Sequence, residues 1–539
     1  MTSKKWLKFI GKFTKNYSMP YKIKNISIHK KELRTSQMKV PALLHVSDNL
    51  MPNDDTLAEI EQVATDGRVF HHVAAMSDVH SKKGRKNPTG TVVASEHFLF
   101  PQINDTAPNC GMRFLKTNLT DKDLSPENIE KLFNELIEKI PTKKYIGTKI
   151  PYSLVMDICR KGVAPVKEFF QTRTKNEIEN TFASGNFFNP TVIPAQAGIQ
   201  SSELGFSAND EMTKNIPTEK DILNAIPKLF LRIGQYRLGI LGAAGNHFLD
   251  LMKITEIKDP EITQKFGLFS GQYIFLLHTG SGLLGQYASY LYTPKRKEHL
   301  SQKLVLELGK MTFATEFKDI MRYLSRQIEK YKDRPEFFAY SEETPEGKMF
   351  ITSHNATANH GFANRTILTH HLDQAIEKVL GKNPELELLY DMPHVYISRE
   401  NHFGRDAWVH RNGTVRANGP ARMQHPIFSQ TGEPVFIPSS MSTPAYIGVG
   451  TDENESTFFS ASHGTGRRKD PEKGTPENKD ALFARMDAKH VKLFNAKSKG
   501  VIMQDRAYYK DVEEVISGMV DNKIIKVVAK MEPVAVLMY

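Results

Sequence analysis

Cysteine is nearly absent from this chain. Only Cys110 and Cys159 occur in 539 residues, so no disulfide framework holds the fold together. No leader with an uninterrupted apolar core precedes a small-residue cleavage site, and a cytoplasmic setting is expected. Long hydrophobic runs are missing too. The glycine-rich LGILGAAG is bounded by Arg237 and His247, far short of the roughly 20 apolar residues of a membrane helix, so stable membrane insertion is not expected. There is no GxxxxGK[ST] phosphate loop, which excludes an ordinary P-loop NTPase. The KxDG lysine of lysine-dependent nucleotidyltransferases is absent; the nearest match, ATDG, has Ala64 in its place. CxxC and HExxH units, internal repeats and heptad runs are likewise missing.

What is present suffices for a globular core, since 40% of residues are hydrophobic. A net charge of +11 favours polyanionic partners through counterion release. Much of the excess lies in the first 35 residues, where KKWLKFIGKF sets Trp6, Phe9, Ile10 and Phe13 on one helical face among lysines. That segment suits contact with RNA or an anionic surface, or a docked terminal helix with a solvated basic side. Ser125-Pro126 predicts a capped helix carrying Ile129, Leu132, Phe133, Leu136 and Ile140. A second helix is expected from Phe313 to Ile328, and a third through Ile367, Leu372, Ile376 and Leu380, stopped by Gly381. TGTVVAS, QYIFLLHTG, EPVFIPSS, PAYIGVG and IIKVVAKMEPVAVLMY read as strands. They do not alternate strictly with helices, so the expected class is mixed α/β, with central mixed sheets surrounded by helices. Residues 1–45 read as a basic N-terminal extension and 46–539 as one domain, interrupted by an irregular insert at 171–216.

The histidines carry the chemistry. His247 in AAGNHFLD, His278 in LLHTGSG, His394 in DMPHVYI and His463 in SASHGTGR each sit beside small or polar residues at the ends of apolar runs. Together with Cys110 they suggest one converging centre, and a thiolate among imidazoles suits Zn, Mn or Fe rather than Mg. Spacing alone leaves the metal open. His71, His72, His354, His360, His370 and His371 read as structural or surface residues, Cys159 as a small buried one, and VHRNGTVRA as a hairpin turning at Asn-Gly.

The ordered set MSDVH, NCGMR, GNHF, HTGSG, ANHGFANR, DMPH, VHRNGTVRA, IPSSM, SHGTGR and AYYKDVEEV resembles the RtcB family of RNA-splicing ligases, from about Asp78 to the C-terminus. The resemblance implies the RtcB-like fold, and a ligase that joins RNA 2′,3′-cyclic phosphate or 3′-phosphate ends to 5′-hydroxyl ends with GTP and manganese. It implies His463 as the residue that becomes guanylylated, with Gly464 and Gly466 leaving backbone N–H groups for phosphate oxygens. Cys110, His247, His278 and His394 would be manganese ligands, Cys110 bridging two ions. Asn246, His247, Asp250, His394, Ser440 and Met441 fall at positions of the guanylate site. Asp78, His80, Arg113 and Arg416 fall where RNA or anions would be held. Archease is the partner that the family brings.

The chain also departs from the pattern. Ala107 stands where the family has a metal-binding aspartate, with Asp105 two residues further back; Gly282 replaces an arginine and Val395 an asparagine. Asp250 replaces a glutamate, Ala445 a guanylate-contacting serine, and Met538 the lysine that contacts guanine. Two alternatives therefore stand beside a GTP-dependent ligase: a metal-dependent RNA-end phosphatase or cyclic phosphodiesterase, and a catalytically impaired paralogue that binds RNA ends.

Overall fold

The computed structural model describes residues 21–81, 87–104, 107–142, 146–189, 216–242, 246–293, 338–468, 470–472, 474–497 and 499–538. The basic segment around Trp6 and the helix expected from Phe313 to Ile328 lie outside these residues.

Two sheets organise the fold. The seven-stranded sheet runs in the order Lys22–Ser27, Lys30–Arg34, Ala42–Leu44, Val73–His80, Thr89–Ser95, Arg405–Asn412, Val395–His402. The eight-stranded sheet runs Glu387–Pro393, Gly111–Lys116, Tyr273–Thr279, Phe248–Ile257, Ile525–Met538, Ala445–Gly450, Pro434–Ile437, with Lys492–Phe494 also on Ile525–Met538. Parallel pairs (42–44 with 73–80, 492–494 with 525–538) sit among antiparallel ones. The mixed α/β expectation, an RtcB-like fold, holds. Among the described residues no helix is long and apolar enough to cross a membrane.

Period-2 alternation splits the larger sheet into two faces. Met112, Ile274, Leu276, Phe248 and Met538 join the main core, while Leu115, Phe275, Leu277, Leu249 and Leu537 pack against the helix Pro126–Lys139. That helix has the expected cap, Ser125 accepting from Asn128 N–H, and buries Ile129, Leu132, Phe133 and Leu136. In the central strand Ile525–Met538, Pro533 sits at a register irregularity, as a residue without an N–H must.

The helix expected around Ile367–Leu380 is 36 residues long, Pro345–Leu380, and ends at Gly381 with φ 65°. Its first two thirds escape an apolar-periodicity reading because polar residues are buried among the apolar ones: His354, Asn359, His360, Asn364 and Arg365 lie inside beside Phe350 and Phe362. Arg365 and Arg113 share Asp391 (2.7 and 2.8 Å), and Arg113 also meets Glu177 at 2.7 Å; all four side chains are fully buried. Two cations face two carboxylates, the balance that buried charges require.

Three expectations need correction. Residues 22–44 are not an appendage, because their three strands pair into the seven-stranded sheet. Residues 171–189 are not an irregular insert: Glu177 is in the ion network and Phe182 and Phe187 are in the core. The remainder of that span, 190–215, lies outside the described residues. VHRNGTVRA is not a hairpin. Arg405–Asn412 pairs with its neighbours in the seven-stranded sheet, Gly413 turns with φ 68°, and Thr414–Arg416 pairs with Ser460–Ser462.

Candidate metal centre and nucleophile

Register brings the donors together. His278 is directly opposite Met112 on one side and Phe248 on the other, and Phe248 opposite Met538, so one row crosses four strands. Cys110 and His247 each immediately precede one of these strands, and His394 follows the strand Glu387–Pro393. The backbones are tied as well: His394 N–H donates to Cys110 O at 2.9 Å. Gly280 and Gly361 close in behind, where an added Cβ would lie 2.7 Å from Asn109 O in each case. Arg365 completes this support, donating to Asn109 O, Asn109 Oδ1 and Thr279 O.

Cys110 Sγ lies 3.4 Å from both His247 Nε2 and His278 Nε2, and His278 Nε2 is 2.9 Å from His394 Nε2. His247 Nδ1 donates to Leu241 O (3.0 Å) and His278 Nδ1 to Asn246 O (2.8 Å). Each carbonyl fixes a tautomer whose Nε2 lone pair faces the cluster. Burial pushes His247 down to about 4 and His278 well below the ordinary imidazole range, so both rings are neutral, the state that ligates metal. Converging lone pairs repel unless a cation lies between them, so these residues fit a divalent transition metal. Donor atoms of Cys110, His278 and His394 all lie within 4.8 Å of one another, and among the described residues no carboxylate joins them. Asp105 lies outside the described residues.

His463 comes from the other side of the site, on the loop after Ser460–Ser462. Its ring stacks on His394, centroids 4.4 Å apart. Nδ1 is 3.0 Å from Asp78 Oδ2, a fully buried carboxylate. With Asp78 accepting from Nδ1–H, Nε2 carries the free lone pair, as a nucleophile requires. Gly466 makes this approach possible, since an added Cβ would lie 2.2 Å from Asp78 O.

A cleft open to solvent at its mouth runs between His278 and His463. His80, Asn246, Asp250, His278, Met441, His463, Gly464 and Gly466, all singled out from the sequence, line it. Asp250 is buried with Oδ1 unpartnered, and burial raises its carboxyl well above the usual range. Four assignments change. Asp78, expected at an RNA or anion contact, is buried behind His463. Arg113, adjacent to Met112, points to the opposite sheet face and is consumed by Glu177 and Asp391. Arg416 is held by Glu433 (2.9 Å) over the Phe182 ring. Ser440 pairs with Thr443, and Ser439 faces the cleft instead.

The sequence reading missed several residues. Arg467, Gln504 and Tyr509 line the cleft as a bonded group, Arg467 Nη2 reaching Gln504 Oε1 at 2.7 Å and Tyr509 Oη at 3.1 Å. Arg365 and Asp391 were quoted within ANHGFANR and DMPH without a role; an acid in the middle of the otherwise apolar run LLYDMP was the available signal.

A family model described as "tRNA-splicing ligase RtcB" matches residues 59–538. The chain is similar to the tRNA-splicing ligase RtcB of Methanococcus maripaludis, 27% identical over 524 residues, covering 93% of this chain and 95% of the relative. It is also similar to that of Nanoarchaeum equitans, 27% identical over 530 residues, 94% and 96% covered. Against a longer RtcB from Pyrococcus abyssi it is 27% identical over 447 residues, 79% of this chain and 42% of the relative. A match of this extent, in a chain whose ten motifs occur in order, establishes that the chain belongs to the RtcB family.

Proposed function

We propose that this chain, a member of a family of RNA ligases, joins RNA 3′-phosphate or 2′,3′-cyclic phosphate ends to 5′-hydroxyl ends through a GMP–His463 intermediate, with GTP as nucleotide and manganese as metal. The observation that carries the reading is the Asp78–His463 contact at 3.0 Å, with His463 stacked on a cluster ligand. His463 Nε2 attacks the α-phosphorus of GTP; a P–N bond forms and the bond to pyrophosphate breaks. Asp78, accepting from Nδ1–H, stabilises the positive charge that develops on the imidazole. GMP then passes from His463 to the RNA 3′-phosphate, after water has opened a cyclic phosphate where one is present. The 5′-hydroxyl displaces GMP and forms the phosphodiester.

Cys110, His247, His278 and His394 would hold the metal, which when bound supplies Lewis-acid polarisation of phosphoryl oxygens. Asn246, Asp250, Met441, Gly464 and Gly466 would bind the nucleotide. Arg467, at the cleft, takes over the anion-holding role expected of Arg113 and Arg416. Archease is the proposed protein partner.

Incubation with Mn²⁺ and GTP labelled on the α-phosphate is expected to label the wild-type protein, in a form stable to denaturation and lost in acid, while His463→Ala stays unlabelled. Folded, metal-loaded wild type without label would sink the mechanism. One observation favours a second reading: the cluster contains no carboxylate among the described residues. A one-ion RNA-end phosphatase or cyclic phosphodiesterase fits such a set, and its product is a processed but unjoined end.

A further inference from the structure

Tyr509 of the AYYKDVEEV motif lines the cleft, and Lys510 next to it bonds the backbone on either side of Asp78 and the loop that carries His463. The strand Val73–His80 pairs with Thr89–Ser95 at Ala75 and again at His80, with the register broken between. Ser77, Asp78 and Val79 lie in that irregularity, where carbonyls leave the ladder and a side chain is re-aimed. The re-aimed side chain is Asp78.

Lys510 takes the place of the missing strand partner. Its Nζ donates to Ser77 O at 2.9 Å and Val79 O at 2.8 Å, the two carbonyls flanking Asp78, and reaches Leu50 O at 3.4 Å. Its own backbone N–H donates to Gly466 O at 3.2 Å, and the next pairs along, Arg468 N–H to Tyr508 O and the Arg467–Tyr509 bridge, continue the seam. The segment 508–510 thus backs the loop that carries His463. Burial lowers the ammonium to about 8, and the neighbouring Asp78 charge opposes that shift. A buried ammonium with carbonyl acceptors and a nearby carboxylate is satisfied in hydrogen bonds and in charge.

We propose that Lys510 is the positioning residue of the nucleophile: its side chain staples the bulge that aims Asp78, and its backbone staples the loop that carries His463. Its effect on rate rests on the nucleotidyl-transfer reading, but its hold on Asp78 does not.

The test compares wild type with Lys510→Met, which keeps the length and apolar stem and removes the ammonium, and with Lys510→Arg, which keeps cation and donors. Three measurements are made: single-turnover labelling by GTP labelled on the α-phosphate, GMP affinity by calorimetry, and a crystal structure of the variant. Lys510→Met is expected to label about 100-fold more slowly, as a misplaced reacting group does. GMP affinity is unchanged, the Asp78–His463 contact is lost, and Lys510→Arg regains much of the rate. If Lys510→Met does not fold, Lys510→Gln takes its place. An intact Asp78–His463 contact with wild-type rate would overturn the inference. So would equal loss of labelling and GMP affinity in the Met and Arg variants, since the lysine would then serve only the core. Wild type without label would instead refute nucleotidyl transfer, and the crystal structure would still decide whether Lys510 holds Asp78.

Discussion

His354 and His410 are as deeply buried as His278 and His394, and they do something different. His354 Nε2 accepts from Ile397 N–H at 3.0 Å and its Nδ1 pairs with Asn355. His410 Nε2 accepts from Phe100 N–H at 2.9 Å and its Nδ1 faces the Val93 and Trp408 carbonyls. Both nitrogens of each ring are spent on backbone or amide partners. In the cleft the carbonyls take only the outer nitrogens and leave the inner ones facing one another. Burial lowers His354 to about 4 and His410 to about 3, and it also holds His278 well below the ordinary imidazole range, so depressed basicity does not separate the two groups. Convergence does.

The largest effect is expected where the two regions share a foundation. Asp391→Asn leaves Arg113 and Arg365 with one carboxylate between them, and should cost about 3–5 kcal/mol in urea unfolding. Because Arg365 also holds Asn109, metal retention should fall with it. Next, paired alanine substitutions separate the regions. His394→Ala is expected to weaken manganese binding roughly 100-fold or more, with little change in melting temperature. His354→Ala should cost about 2–4 kcal/mol of stability and leave metal affinity intact. Equal metal loss in both would break the comparison.

Acid probes the shared property. His45, His354, His360 and His410 are held by burial at about 3 to about 4, against about 6.5 in the unfolded chain. The unfolded chain binds protons first, so stability is intact above pH 6.5 and falls as pH drops toward 4. The slope is about 1.4 kcal/mol per pH unit for each histidine, measurable as urea midpoints across that range. The smallest effect belongs to the apolar corner of the cleft. Met538→Lys adds an ammonium that favours a purine carbonyl over an amino group, and should shift labelling toward GTP over ATP by about tenfold.

The sequence made some parts plain and hid others for physical reasons. Strands such as Tyr273–Thr279 and helix Pro126–Lys139 announce themselves because apolar periodicity and caps are local signals. The long helix was only partly readable, since Asn359, Asn364 and Arg365 are polar yet buried by distant partners. Cys110, His247, His278, His394 and His463 were all singled out, and the structure gathers them. The arginines were misread because charge in a motif does not say which face of a strand it leaves; Arg113 points away from the Met112 side. Asp78 and Lys510 gain their roles from a bulge, which leaves no local mark.

The strand Ile525–Met538 lies between Phe248–Ile257 and Ala445–Gly450. During synthesis, therefore, the open edge of Phe248–Ile257 must wait for a partner made some 270 residues later, roughly 10 to 60 seconds at ordinary elongation rates. For that interval the nascent chain carries His247 and His278 at the ends of a half-built sheet with an unpaired border. The cleft that gathers these donors is thus among the last features of the molecule to come into being, and its most vulnerable moment precedes its completion.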